Sequence, residues 1–204
     1  MIVEVIMTQL LMLTLAAFAT FQEPAKSRPG EKWYSLLEGE EFRENSLKLI
    51  AIAPEAAGDF EAIVNDPNVE SIYVSRLYYV LGKSKVDHKR FLKLALRDLN
   101  HAEERVRCSA ATFAGNVGGG PEFAAPLLML MLHDPDTSVT NAARRALGQV
   151  GDAGTVVALE HLIRFGTGKP ETPKRAKELT AAFTETRDEI KARLAAKAAP
   201  APPK

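Results

Sequence analysis

The chain has 204 residues, 46% of them hydrophobic and 25% charged, with 26 basic side chains balancing 26 acidic ones. That neutrality argues against a phosphate-dominated ligand, because nucleic-acid binders carry a basic surplus. The length suits one domain, and a single cysteine, Cys108, excludes both an intramolecular disulfide framework and a cysteine-rich zinc site.

Residues 1–21 stand apart from the rest of the chain. An apolar run from Val5 to Ala19 ends in Ala17-Phe18-Ala19, a small-x-small pattern, and Gln22–Gly30 is polar and proline-bearing. The pattern predicts a signal peptide over 1–19, cleaved near Ala19, and hence an exported protein, periplasmic or secreted. No Lys or Arg precedes the run, so the alternative is an uncleaved membrane anchor over residues 5–21. Thr8, Gln9 and Thr14 interrupt that run, which is shorter than the ~20 residues a span needs. A flexible linker is expected over 20–32, a helical repeat domain over 33–196, and a disordered Ala/Pro-rich tail over 197–204.

Within the domain, Trp33, Tyr34, Leu36 and Leu37 are expected to cover the first end. Glu40–Ala53 reads as a degenerate helix with Phe42, Leu47, Leu49 and Ile50. Helix pairs come next, near 55–65 with 69–82, 87–98 with 101–117, 122–132 with 136–150, and 153–165 with a final helix over 172–196. Asp87, the Gly118–Pro121 break and Thr172-Pro173 punctuate them. The last helix, with Lys174, Arg175, Lys177, Arg187, Lys191 and Arg193, is the most polar. A terminal unit needs such a wet outer face to cover the exposed core.

The most regular stretch is Asp134–Gly151, DPDTSVTNAARRALGQVG. Asp134 is placed to cap a helix starting at Pro135. Val139, Ala142, Ala143, Ala146, Leu147 and Val150 form one apolar stripe at helical spacing, and Gly151 suits a left-handed stop. Half of this stripe is alanine, so the helix needs a neighbour at close range. Shifted back by 33 residues, Val139, Ala143, Gly148, Val150 and Gly151 fall on Val106, Ala110, Gly115, Val117 and Gly118. A second shift brings Gly115, Ala114 and Ala110 onto Gly82, Leu81 and Leu77. Three copies at one period are the mark of a repeat array.

The segment from Gly119 to Gly151 resembles a HEAT repeat of the short, alanine-rich kind first named from phycobilisome lyases. The resemblance rests on Pro126, Leu128 and Leu132 in a helix A, on the Asp134-Pro135-Asp136 turn, and on Ala146-Leu147-Gly148 closing a helix B. It covers about residues 55–165 and is strongest over 120–163. The period is shorter than the ~40–47 residues usual for HEAT and close to the ~33 of ankyrin, whose Thr-Pro-Leu-His signature is missing. The resemblance implies an all-α fold, a right-handed α-solenoid of antiparallel helix pairs forming a HEAT-like superhelix, preceded by the hydrophobic signal or anchor segment.

Catalytic chemistry is sparse. Gly82-Lys83-Ser84 ends like a phosphate-binding loop, but Leu77 stands where that motif needs glycine, and the tripeptide ends a helix. His88, His101, His133 and His161 are scattered, and the His-Glu pairs of HEAT-like di-iron hydroxylases are absent. Glu40-Glu41 and Glu103-Glu104 are neighbours in sequence and point about 100° apart on a helix, which does not make a catalytic dyad. No cofactor, metal or catalytic residue is expected. The alternative, a lyase-type or other HEAT-like enzyme accessory role, rests on the resemblance alone.

The resemblance also implies that the B helices line a concave face. The 33-residue shift stacks their outward positions into rungs: Arg144–Ala111–Tyr78, Arg145–Thr112–Tyr79, Asn141–Cys108–Ser75, Thr140–Arg107–Val74 and Gln149–Asn116–Lys83. Tyrosine and arginine are enriched in binding hot spots. Tyr78, Tyr79, Arg107, Asn116, Asn141, Arg144 and Arg145 are therefore the candidate partner-binding residues, forming an aromatic and cationic groove for another protein or an acidic, extended peptide. Nucleic acid is disfavoured as a partner, and a membrane enters only through an uncleaved N-terminal segment.

Overall fold

The computed structural model describes residues 28–167 and 172–199. The expected signal peptide and its alternative as an anchor lie outside those residues, as do most of the linker and the end of the tail. Among the described residues the chain is all-helical, with nine α-helices and one 3₁₀ turn. They are α1 (Glu31–Leu37), α2 (Phe42–Asn65), α3 (Ser71–Lys83), α4 (Lys89–Asp98), α5 (Glu104–Val117), the 3₁₀ turn Pro121–Phe123, α6 (Ala124–His133), α7 (Thr137–Val150), α8 (Ala153–Phe165) and α9 (Pro173–Ala198). None of the described helices is long and apolar enough to cross a membrane.

The packing has two rows. α3, α5, α7 and α9 lie side by side in chain order, and each packs against the helix before it in sequence: α2 on α3, α4 on α5, α6 on α7, α8 on α9. One continuous core runs between the rows, from Leu37 and Phe60 through Phe91, Phe113 and Leu127 to Leu159, Phe183 and Ile190. α1 closes the first end. Leu37 is fully buried, and Trp33 meets Phe60 edge-on at 5.7 Å while its Nε1 donates to Asp59 Oδ2 at 2.9 Å. α1 also takes in Glu31 and Lys32, which the sequence places in the linker.

Three local expectations are corrected. The first is a helix boundary: the expected break between Glu40–Ala53 and 55–65 does not exist, and α2 is one helix of 24 residues with Pro54 inside it. Proline removes one helical hydrogen bond and costs ~3 kcal/mol in a helix interior. Burial of Leu49, Ala53, Ala56, Ala57, Phe60 and Ile63 along both halves offsets that cost.

The second correction concerns the cap of α7. Asp136, not Asp134, is the N-cap: its Oδ1 accepts the main-chain N–H groups of Ser138 at 2.8 Å and Val139 at 3.0 Å. The third concerns Gly151, whose φ of −57° is not left-handed. Glycine is needed there for space, because a Cβ would come within 2.6 Å of Ile190 Cδ1 and 2.7 Å of the Leu147 carbonyl oxygen. The left-handed stop lies one copy upstream. Gly118 has φ 71°, and Gly119 N–H donates to the Ala114 carbonyl at 2.8 Å, with Gly118 N–H on Gly115 at 3.4 Å. That is the Schellman pattern.

Candidate functional site

The side of α3, α5 and α7 turned away from α2, α4 and α6 carries the positions singled out by the 33-residue shift. Three rungs are open. Tyr79, Thr112 and Arg145 are exposed, as are Lys83, Asn116 and Gln149; Asn141 is exposed beside half-buried Cys108 and Ser75. Each helix supplies the same offsets because its apolar stripe fixes which arc faces inward.

The other candidates are drawn into the structure. Tyr78 is 1% exposed. Its ring packs on Phe113 at 5.4 Å, and its hydroxyl donates to Asp98 Oδ2 at 2.7 Å. Burial, followed by the charge of Asp98, pushes the phenol pKa far up. Asp98 is itself 2% exposed and takes a second hydrogen bond from Arg97 Nε, whose other nitrogens donate to Asn65 Oδ1 and the Val64 carbonyl. Tyr78 thus ties α3 to α4, and through Arg97 to the end of α2.

Arg107 makes a two-pronged pair with Asp134, Nε to Oδ2 at 2.7 Å and Nη2 to Oδ1 at 3.0 Å, with side-chain exposures of 13% and 3%. Its Nη1 donates to the carbonyls of His101 and Ala102. Burial alone would raise the Asp134 pKa; the Arg107 hydrogen bond and the Asp136 N–H outweigh it and hold the carboxyl below the usual range. The Arg107 guanidinium is shifted up by the same pairing. This is a clasp between the start of α5 and the α6–α7 turn.

Arg144 turns toward α9. Nη1 lies 3.1 Å from Glu185 Oε2 and 3.9 Å from Glu189 Oε1, in an off-axis pair without an aligned hydrogen bond. Its rung partner Ala111 is fully buried. The Arg144–Ala111–Tyr78 rung therefore belongs to the contact between neighbouring helices, not to the open face.

Two clefts run along that face. One, of 450 Å³, lies between α3 and α5 and reaches the turn before α7, with Tyr79, Cys108, Thr112 and Asn116 in its wall. The other, of 470 Å³, lies between α5 and α7 and includes Thr112, Asn116, Arg145 and Gln149. Thr112 and Asn116 line both, so the clefts adjoin. Among the contributors the sequence missed are Glu104 at the rim of the first cleft and Glu189 of α9 in the second. The second could not have been found by shifting repeats, because α9 has no counterpart in the register. Burial raises the Cys108 thiol pKa, and Sγ lies 3.7 Å from the Ser138 carbonyl. Among the described residues no three His, Cys, Asp or Glu side chains converge as a metal site.

No protein-family model matches this chain, and no curated protein does. Its functional reading rests on the geometry of the face itself.

Proposed function

We propose that the chain is a non-catalytic interaction scaffold, a right-handed HEAT-like α-solenoid that holds an extended segment of another protein along the α3–α5–α7 face. The observation that carries this reading is the recurrence of exposed side chains at the same helical offsets over two adjoining clefts. An extended strand rises ~3.3 Å per residue, so a segment of a few residues would run from Tyr79 across Thr112 and Asn116 to Arg145. Tyr79 offers a half-exposed aromatic anchor, and Asn116, Asn141 and Gln149 offer paired donors and acceptors for a peptide backbone. The groove is less cationic than an arginine count suggests, because Arg107 and Arg144 are already paired. This favours a polar segment with an apolar residue near Tyr79 over a strongly acidic one. We further propose that the protein acts after export, with residues 1–19 serving as its signal peptide.

The test is affinity capture with wild type, Tyr79→Ala and Arg145→Glu, each checked for an unchanged unfolding curve. The expected result is a partner retained by wild type and lost by both variants. Equal recovery by all three would overturn the assignment of this face. Arg144→Glu is unsuitable as a probe, because it would set three acids together against α9.

A further inference from the structure

At the first end of the molecule, α1 and the α2–α3 turn enclose a separate cleft of 440 Å³. Two tyrosines line it, Tyr34 and Tyr73, each less than a tenth exposed and packed edge to face at 4.9 Å. They differ in one respect. The Tyr73 hydroxyl donates to Glu38 Oε1 at 2.7 Å, and that bond, with burial, pushes its pKa up to about 12. The Tyr34 hydroxyl is shut off from solvent and has no hydrogen-bond partner. Buried polar groups in folded proteins are almost always paired, so an orphaned hydroxyl in the wall of a cleft points to something that completes it.

The surrounding charges define what that is. Burial raises the Tyr34 pKa, the charge of Asp66 raises it further and that of Arg28 opposes, so both groups lie within electrostatic reach of the hydroxyl. Asp66 Oδ1 already accepts the Asn68 N–H at 2.9 Å and Asn68 Nδ2 at 3.3 Å. Among the described residues Asp66 Oδ2 and the Glu70 carboxylate accept no hydrogen bond. Two carboxylates against one guanidinium leave the cleft negative. An anion would face both acids, and a metal ion would need a convergent ligand set that is absent among the described residues.

We propose that this cleft binds an alkylammonium group. Such a group has three donors and no acceptor. One donor completes the Tyr34 oxygen and the others meet Asp66 and Glu70, while Pro29 and Val69 flank the aliphatic stem. The cleft shares no residue with the α3–α5–α7 face, so this assignment and the scaffold reading stand or fall separately.

The same chemistry comes from a free amine or from a lysine side chain of a partner protein. The test is a titration of the intact protein, followed by NMR of the Tyr34 ring, with n-butylammonium, with Nα-acetyl-lysine methylamide, and with the same compound acetylated on Nε. The expected result is a saturable shift with both charged probes and an affinity at least tenfold weaker for the acetylated one. Tyr34→Phe keeps the ring and the fold and removes only the oxygen; it should weaken binding by about tenfold, as losing a hydrogen bond to a charged group does. Similar affinities for the two charged probes assign the site to a free amine, and a tenfold preference for the lysine compound assigns it to a partner's lysine. No saturable shift, equal response to the acetylated compound, or an unchanged affinity in Tyr34→Phe would each overturn the proposal.

Discussion

The α3–α5 contact and the α5–α7 contact share the same 33-residue spacing and are filled in opposite ways. Between α3 and α5 the filling is aromatic: Tyr78 packs on Phe113 at 5.4 Å, His88 meets Phe113 edge-on at 6.0 Å, and a Cβ at Gly82 would sit at an ordinary 3.5 Å from the Phe113 ring. Between α5 and α7 the helices nearly touch. A Cβ at Gly115 would come 2.8 Å from the Ala146 Cα, and Ala110, Ala111, Ala142, Ala143 and Ala146 are all buried. Gly82 and Gly115 occupy equivalent positions, but only Gly115 is required there by close approach of its neighbour. A repeat keeps its spacing while volume is traded between side chains and backbone approach.

Four substitutions test that contrast by thermal or denaturant unfolding. Phe113→Ala should cost most, about 3–5 kcal/mol, because it empties the space that separates α3 from α5. A loss below about 1 kcal/mol would mean that this contact is not aromatic-filled. Asp134→Asn should cost about 3 kcal/mol at neutral pH, since it leaves the Arg107 guanidinium largely buried without its counter-charge. The pH dependence comes from the lowered Asp134 pKa. Its contribution is complete above the ordinary Asp range of ~3.9 and is lost as pH falls through the depressed folded value. The acid limb of the stability curve should therefore flatten in Asp134→Asn, and an unchanged acid limb would show that another group governs it.

Gly115→Ala should cost about 1–3 kcal/mol, because backbone, not a yielding side chain, meets the added methyl. Gly82→Ala should show the smallest effect and the opposite sign, a gain of up to about 1 kcal/mol from helix propensity at a site with room for the methyl. Equal responses at the two glycines would dissolve the distinction between the contacts.

Much of the helical organisation is legible in the residues. The stripe Val139–Val150 is buried as its spacing implies, the Thr172-Pro173 start of the last helix is seen as Thr172 Oγ1 accepting the Arg175 N–H at 3.2 Å, and Lys83-Ser84 ends α3. The misplaced features share a cause. Pro54 marks a break only if local preference decides, and burial along α2 outweighs it. Asp134 and Asp136 are both good caps by type, and what separates them is Arg107, a residue 27 positions away. Tyr78 and Arg144 look outward on a helix considered alone. The middle helices of the row touch neighbours on two flanks as well as below, so their buried arc is wider than one stripe. Helical periodicity reports the contact beneath a helix and is silent about those at its sides.

The Arg193 side chain of α9 has a consequence for assembly. It donates to the carbonyls of Gly148 and Gly151 at the end of α7, while Ile190 seats on Gly151 and Lys191 pairs with Glu160 of α8 at 2.6 Å. A row of like helices can grow head to tail into a fibre if one end offers a bare apolar ledge to the other end of the next molecule. Here the final ledge is covered, with fully buried Phe183 and Ile190 beneath and the half-exposed Asp188 and Lys191 turned outward. The molecule carries its own chain terminator at that end.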